Sequence, residues 1–308
     1  MLDPLVSIVI PTFNRPHFLR RALKSIVNQS YPNWECIVID DNSNPACITY
    51  VSDFLNSDPR IFLFRNALSL HASRSRNLGV SKSSGSFICF LDDDDYWHPQ
   101  KLELQLMHMI KTASSVSYCW SYLLDDNSCI VSSRHPNVEG RIFDLMLSNQ
   151  PLCNCSTFMI TRSAWNFSSG FNHLLKRGND GAFIRELSEH FPITVVPQCL
   201  VYYQINTFGT NISTNNYLGL QRSIRSYKFR LSKYRQQLSL RPLKRAEILI
   251  SVAHHYALLA KPIYSLKYLL AAFLLVSPLF YVRVRACFAI LITLCLSPLS
   301  RLLKYTKS

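Results

Sequence analysis

Short apolar runs alternate with helical apolar periodicity through the first 120 residues. Leu5–Phe13, Trp34–Ile39 and Ser86–Leu91 have the length and the β-branched content of buried strands. After the first run, Asn14 is expected to cap a helix that has Pro16 in its first turn. This order predicts a doubly wound, mostly parallel sheet. The same patterns predict further strands at Ile61–Phe64, Val116–Tyr122, Ile130–Ser133, Phe158–Thr161 and Ile193–Gln204, and helices at Ala46–Leu55, Ala72–Lys82 and Asp180–His190.

Carboxylates follow two of these strands. Asp40-Asp41 and Asp92–Asp95 both fall at strand ends, where parallel strands converge on one crevice. Four consecutive aspartates repel one another, and a hard divalent cation that also bridges substrate phosphates would neutralise them. The alternative is a solvated acidic turn that caps a helix starting near Pro99. With two clusters present, the sequence favours a metal–nucleotide site.

Composition and charge divide the chain. The formal net charge of +14 comes from residues 222–308, which hold 16 Lys/Arg and one acid, Glu247. Within them, Tyr268–Val282 and Ala286–Ser300 are uncharged runs, short for membrane spans and each interrupted by Ser-Pro. We expect in-plane helices that attach residues 263–308 to an anionic membrane surface, with a buried helical subdomain and a membrane hairpin as alternatives.

Several classes of protein are disfavoured. The chain has no GxxxxGK[ST] or GxGxxG loop, so a metal must carry a bound diphosphate, helped by Arg76 or Arg74. No nucleic-acid module accompanies the basic segment, and no nucleic-acid partner is expected. The ten scattered cysteines and the strand that begins by Leu5 indicate a reducing, cytoplasmic location.

Four ordered motifs resemble the family 2 glycosyltransferases, which have the GT-A fold. They are VSIVIPTFNR at Val6–Arg15, VIDDNS at Val38–Ser43, RSRNLG at Arg74–Gly79 and FLDDDDYWHPQKLE at Phe90–Glu103. The resemblance spans about residues 5–205. It implies an α/β, Rossmann-like nucleotide-binding half at 1–112, a mixed acceptor half at 113–215, and a basic helical extension at 216–308.

The resemblance also implies the site. Asp94 would bind Mn²⁺ or Mg²⁺ directly, and Asp92 would bind ribose or the metal. Asp180, in RGNDGAF, would be the base that deprotonates the acceptor hydroxyl, although Asn179 stands where the family often has Glu. A simple helix cap is the alternative role of Asp180. The residues assigned to the nucleotide-sugar donor are Pro11, Thr12, Asn14, Asp40, Asp41, Arg76, Asp92 and Asp93.

The resulting hypothesis is an inverting, metal-dependent hexosyltransferase. It would move a single sugar from a nucleotide diphosphate to a hydroxyl of a lipid-linked or growing cell-surface glycan, as a peripheral protein on the cytoplasmic face of the cell membrane. A single addition is favoured because the chain has no Arg-Trp dipeptide, which the processive members carry. The alternatives are a catalytically inactive membrane-bound scaffold that binds nucleotide sugars, and a sugar nucleotidyltransferase.

Overall fold

The computed structural model describes residues 3–148, 152, 154–205 and 216–276. These residues form two compact units. The first unit contains residues 3–146, 152, 154–174 and 179–205, and the second contains 147–148, 175–178 and 216–276. All of the strands in the described residues, and all of the candidate site residues, belong to the first unit.

The first unit is built on one sheet of nine strands, counted over the described residues, in the order β3-β2-β1-β4-β8-β6-β9-β5, with β7 paired to β6. The strands β1 to β4 are mutually parallel, whereas β8 runs antiparallel to β4 and β6, and β5 runs antiparallel to β9. A parallel half is therefore followed by a mixed half, as the sequence predicts. The strands are β1 Val6–Thr12, β2 Trp34–Asp40, β3 Ile61–Arg65, β4 Phe87–Phe90, β5 Tyr96–Trp97, β6 Val116–Leu124, β7 Ile130–Arg134, β8 Phe158–Thr161 and β9 Ile193–Gln204.

Helices cover both faces of this sheet. Along β1, Ile8 and Ile10 belong to one buried cluster and Val9 to the other, as alternation along a strand requires. The first cluster includes Leu23 of α1, and the second includes Phe183 of α8. The helices of this unit are α1 Pro16–Val27, α2 Pro45–Thr49, α3 Ser52–Ser57, α4 His71–Ser81, α5 Lys101–Thr112, α6 Phe143–Met146, α7 Arg162–Phe167 and α8 Asn179–His190.

Helix α4 lies unusually close to β1 because Gly79 has no side chain. A Cβ atom at Gly79 would overlap with Cγ1 of Val9 and would also crowd Ile39. The close approach sets the distance of α4 from β1. Arg76 lies one turn before Gly79 on the same helix.

Two local predictions are wrong, and one strand was not predicted. Asn14 does not cap α1: the cap position is Arg15, which makes no side-chain cap hydrogen bond, while Asn14 is left-handed with φ of 54° and accepts a hydrogen bond from the backbone of Asn44. The single helix predicted at Ala46–Leu55 is two short helices, α2 and α3. The two-residue strand β5 was not predicted, because two residues carry no periodic signal.

The second unit is helical over its described part. Its helices are α9 Tyr217–Lys233, α10 Arg235–Ser239, α11 Pro242–Leu258 and α12 Pro262–Val276. Ala253 of α11 and Leu269 of α12 share a small buried cluster. The end of the run Tyr268–Val282 and all of Ala286–Ser300 lie outside the described residues. Among the helices described, none has the length and apolar character needed to cross a bilayer.

Candidate active site

The carboxylate of Asp41 is buried directly after β2 and holds the start of α4. It accepts hydrogen bonds from the side chain of Ser69 at 2.6 Å and from the backbone nitrogens of Leu70 and His71 at 2.7 and 2.9 Å. Asn66 also donates to it, at 2.8 Å. Burial alone would raise the pKa of Asp41, but these hydrogen bonds hold that pKa below its usual value. Asp41 is therefore an ionised anchor for the loop that precedes α4.

Asp40 is fully buried beside it. One oxygen accepts a hydrogen bond from the backbone nitrogen of Ser43 at 3.0 Å, and the other lies 3.3 Å from Nε of Arg65. The backbone nitrogen of Asp41 donates to the carbonyl of Thr12 at 2.9 Å, which joins the ends of β1 and β2. Among the described residues, no hydrogen bond or ion pair joins Asp40 or Asp41 to the Asp92–Asp95 cluster.

The four aspartates between β4 and β5 have different environments. The side chains of Asp93 and Asp95 face inward and leave these residues 6% and 0% exposed. Asp95 accepts hydrogen bonds from Ser156 at 2.5 Å, from Asn154 at 3.1 Å and from the backbone of Gln204 at 3.1 Å. The solvated acidic turn considered from the sequence is therefore wrong for Asp93 and Asp95. The side chains of Asp92 and Asp94 are 25% and 15% exposed.

Arg15 binds two of these aspartates from the loop after β1. Its NH1 donates to Asp94 at 2.7 Å and to Asp93 at 3.3 Å, and the hydroxyl of Thr12 donates to Asp93 at 2.8 Å. The carboxylate cluster is thus held to the end of β1 by one cation and one hydroxyl. Sequence analysis assigned no role to Arg15, since it stands 78 residues before Asp93.

Arg76 joins the carboxylate cluster to Asp180. Its guanidinium, with the side chain only 6% exposed, is hydrogen-bonded to Asp92 through NH2 and lies 3.5 Å from Asp180 through NH1. The ring of Phe171 lies beneath it, 5.2 Å from the guanidinium carbon. Asp180 is in the first turn of α8 with its side chain 33% exposed. The fold therefore links the proposed base to Asp92 of the carboxylate cluster through one arginine.

Burial dominates the ionisation of this cluster. It raises the pKa of Asp93 to about 7, with a further contribution from Asp94, while Arg15 and Thr12 oppose the increase. Burial and the charge of Asp92 raise the pKa of Asp94, which Arg15 again opposes. The pKa of Asp95 is raised well above its usual value by burial and by Asp94. Negative charge in this pocket is costly, so a bound cation would be strongly favoured.

The pKa of Asp180 is also above its usual value, first because of burial and further because of Asp92, while Arg76 acts in the opposite direction. Arg76 stays charged: burial acts to lower its pKa, but Asp92 and Asp180 raise it. A carboxylate with a raised pKa and partial exposure is suited to accept a proton near neutral pH.

The donor set fits a hard divalent cation. Within the described residues, no three His, Cys, Asp or Glu side chains form a cluster able to bind a metal on their own. Mg²⁺, however, is commonly held by one or two carboxylates, with the remaining ligands from substrate phosphates and water. Asp92 and Asp94 offer two partly exposed carboxylates. Arg76 contacts one oxygen of Asp92, and Arg15 contacts one oxygen of Asp94. The sequence suggested that a divalent cation would neutralise the aspartates; in the structure, Arg15 and Arg76 already neutralise part of their charge.

Several contacts within the site were not predicted from the sequence. Ser156 accepts a hydrogen bond from the backbone of Asp92 at 3.1 Å and donates to Asp95, so one hydroxyl fixes both ends of the cluster. Burial raises the pKa of Tyr203, and the charges of Asp95, Asp92 and Asp94 add to that increase, so its phenol lies in their field. The thiol of Cys155 is buried in the same field. No local pattern marks these residues, because 59 or more positions separate them from the aspartates.

Comparison with known proteins decides the family. The model of the family described as Glycosyl transferase family 2 matches residues 7–167, more than half of the chain. The chain belongs to glycosyltransferase family 2. The resemblance seen in the four motifs is thereby confirmed, and the family assignment supports a glycosyltransferase enzyme. Among curated relatives, WfgD of Escherichia coli, a UDP-Glc:alpha-D-GlcNAc-diphosphoundecaprenol beta-1,3-glucosyltransferase, is 35% identical over 174 residues, which cover 56% of this chain and 67% of WfgD.

Solved glycosyltransferase structures share the fold. TarS of S. aureus in complex with UDP-GlcNAc superimposes with a TM-score of 0.57 at 16% identity, over 87% of this chain and 89% of that one. The mannosyltransferase PcManGT of Pyrobaculum calidifontis, in complex with GDP-Man and Mn²⁺, gives a TM-score of 0.56 at 14% identity, over 96% and 81%. At these identities the likeness concerns the fold alone, and it confirms the mixed α/β fold of the GT-A type.

Proposed function

We propose that this protein is an inverting glycosyltransferase that moves one sugar from a nucleotide diphosphate sugar to a hydroxyl of a lipid-linked or growing cell-surface glycan. The observation that carries the proposal is the position of Asp180, whose carboxylate lies outside the Asp92–Asp95 cluster and 3.5 Å from the arginine that binds Asp92. The carboxylate cluster could therefore hold a cation for the leaving diphosphate, while a separate carboxylate faces the acceptor.

The reaction needs few chemical groups. The acceptor oxygen attacks the anomeric carbon from the face opposite the diphosphate, the bond from that carbon to the phosphate oxygen breaks, and the nucleoside diphosphate departs. The acceptor proton passes to a carboxylate oxygen of Asp180. Because the bond forms on one face and breaks on the other, the configuration at the anomeric carbon inverts. Positioning and charge stabilisation supply most of the acceleration.

The donor occupies the carboxyl ends of β1, β2 and β4 in this proposal. Pro11 and Thr12 line the nucleotide pocket, Asn14 lies in the exposed loop after them, and Asp40 and Asp41 lie toward the base. Asp92 and Asp93 lie beside the ribose and the diphosphate.

A divalent cation, Mn²⁺ or Mg²⁺, would be held by Asp94 and Asp92 and would supply charge stabilisation to the departing diphosphate. The partial exposure of both carboxylates supports this assignment, as does the Mn²⁺ in PcManGT.

The relatives support a lipid-linked acceptor. The name of WfgD specifies UDP-Glc as donor and a GlcNAc-diphosphoundecaprenol as acceptor, and TarS was crystallised with UDP-GlcNAc. We therefore expect a UDP sugar to be the first donor to test, and a sugar carried on a polyprenyl diphosphate to be the first acceptor.

A donor panel tests the proposal. The full chain is incubated with Mn²⁺, with UDP-Glc, UDP-GlcNAc, UDP-Gal or GDP-Man, and with a diphosphate-linked GlcNAc acceptor on a short lipid, and the product is followed by mass spectrometry. Transfer from one donor, with an inverted linkage by NMR, is expected. Metal-dependent nucleotide binding without transfer to any acceptor would instead support a scaffold.

Membrane attachment is proposed through the outer face of α12. Ser265, Leu269 and Ala272 are buried, while the opposite side of this helix is apolar and exposed. An exposed apolar stripe beside Lys261 and Lys267 suits an anionic lipid surface. The stripe consists of Ile263, Leu266, Leu270 and Leu274, of which Ile263 and Leu274 are 81% and 77% exposed. We place the enzyme, peripherally bound, on the cytoplasmic face of the cell membrane.

The double substitution Ile263→Ser and Leu274→Ser is expected to reduce binding to vesicles that contain phosphatidylglycerol by at least about tenfold. Each substitution removes roughly 1.5–3 kcal/mol of the hydrophobic free energy gained when the side chain enters the lipid. Co-sedimentation with vesicles measures this change. Leu68→Ser removes a leucine that is 74% exposed in the first unit and should leave binding unchanged. Unaltered sedimentation of the double variant would contradict lipid docking by this face.

A further inference from the structure

Helix α4 is attached to two residues that precede the proposed base in the chain. The side-chain amide of Asn77 makes two hydrogen bonds to the backbone of Phe171, each of 2.9 Å, and the side chain of Asn179 donates to the hydroxyl of Ser73. Phe171 and Asn179 lie before and at the start of α8. These contacts fix α4 against the segment that carries Asp180, so a side chain on α4 has a defined position relative to that carboxylate.

Arg76 is the side chain on α4 that uses this position. Its guanidinium lies over the ring of Phe171 and contacts two carboxylates, and its Nε is buried without a hydrogen-bond partner in the described structure. Within the described residues, Asp180 has no other ion-pair partner. A buried arginine that contacts two carboxylates from different segments fixes the distance between them and balances their negative charge.

Asp180 would lose both its position and its charge balance without this arginine. The charged or titratable groups in its field are Arg76 of α4, Asp92 of the loop after β4 and Cys155 of the turn before β8. Asp92 and Cys155 cannot supply a positive charge, so Arg76 is the only cation among these three groups. Asp92 and Asp180 would then repel each other in a buried site, where such repulsion is weakly screened.

We propose that Arg76 is the positioning residue for the base: it holds the carboxylate of Asp180 at a fixed distance from Asp92 and so aligns the acceptor hydroxyl with the donor. This inference rests on the proposed transfer reaction. It differs from the role that the sequence suggested, in which Arg76 would bind the donor diphosphate. In the structure, the two terminal nitrogens of Arg76 are directed to Asp92 and Asp180, which leaves the diphosphate to Asp92, Asp94 and the cation.

The two roles predict different kinetics. A diphosphate ligand contributes to donor affinity, so its loss raises the Kd for the nucleoside diphosphate. A positioning residue acts on the aligned complex, so its loss lowers kcat while the donor Kd stays near the wild-type value. A displacement of a reacting group by about 1 Å can reduce the rate about 10²-fold.

Two substitutions separate position from charge. Arg76→Lys keeps the charge but loses the fork that spans both carboxylates, and we expect kcat to fall about 10²-fold with an unchanged acid limb of the pH–rate profile. Arg76→Gln also removes the charge. Because Arg76 lowers the pKa of Asp180, its removal should move the acid limb to higher pH.

The experiment measures kcat over pH 5–9 and the Kd for UDP with Mn²⁺ by calorimetry, for wild type, both variants and a control. Arg20→Lys is the control, since Arg20 forms an exposed pair with Asp53 and should change neither quantity. Wild-type UDP affinity in a variant also shows that its site is folded. If Arg76→Gln does not fold, Arg76→Lys alone decides through kcat and Kd.

Three outcomes count against the inference or its basis. A higher Kd for UDP with kcat unchanged would make Arg76 a diphosphate ligand. Wild-type kcat in Arg76→Lys would show that position does not depend on the fork. Absence of transfer by the wild-type protein from every donor would refute the proposed function itself, before any variant is compared.

Discussion

Replacing Asp180 by asparagine is expected to lower kcat by about 10² to 10⁴-fold, the usual contribution of a general base. The amide keeps the size of the side chain but cannot take the acceptor proton. The donor carboxylates are contributed by another segment, and so the affinity for nucleoside diphosphate should persist. The transfer assay gives kcat, and calorimetry with UDP and Mn²⁺ gives the affinity.

The pH profile supplies a second readout for Asp180. Burial and Asp92 raise the pKa of Asp180, so the wild-type rate should fall as the pH drops through a value above the usual aspartate pKa of about 4. This limb should be missing from the residual activity of Asp180→Asn. Asp53→Asn, at an exposed aspartate on α3, is the control. Near-normal turnover of Asp180→Asn would refute its assignment as the base.

Replacing Asp94 by asparagine is expected to abolish metal-dependent donor binding and to reduce activity by on the order of 10³-fold. A divalent cation contributes several kcal/mol to stabilisation of the leaving phosphate, and each 1.36 kcal/mol is a factor of ten. Calorimetric titration of UDP with and without Mn²⁺ measures the loss. The near-identical size of asparagine keeps the contact region of Arg15 intact.

Chelation provides the matching test on the wild-type protein. Excess EDTA should eliminate transfer, and added Mn²⁺ or Mg²⁺ should restore it. The control is Asp125→Asn, in the turn after β6, which removes the same charge outside the proposed site. This variant should retain metal-dependent binding. Full activity in excess chelator would overturn the metal role of Asp94 and Asp92 together.

The positions of the carboxylates could be read from the sequence because they depend on local order. A buried strand followed by aspartates puts those aspartates at one edge of a parallel sheet, whatever the details of packing. Asp40, Asp41 and Asp92–Asp95 follow this rule. In the parallel half, the predicted strand bounds also agree with the observed ones within one or two residues. Asp180 needed the family motif, since a first-turn aspartate alone is also typical of an ordinary helix.

The counter-charges could not be read from the sequence. The contact of Arg76 with Asp180 spans 104 residues, and those of Arg15 and Ser156 with the cluster span 78 and 61. Such pairs are set by how α4, α8 and the turn before β8 pack on the sheet, and no periodicity encodes that packing. The negative charge was therefore predicted correctly, whereas its arginine partners, Arg15 and Arg76, were not.

Engineering of this enzyme meets a constraint at a residue that touches no substrate group. Gly79 sets the distance of α4 from β1, and Arg76 is on the same helix one turn earlier. Even one methyl group at position 79 would lift the helix off the sheet and carry the guanidinium away from Asp92 and Asp180. Libraries that aim at new donors or acceptors therefore have to keep this glycine fixed. Because Arg76 is proposed to position the base, we expect substitution of this glycine to lower activity before any change in specificity could be observed.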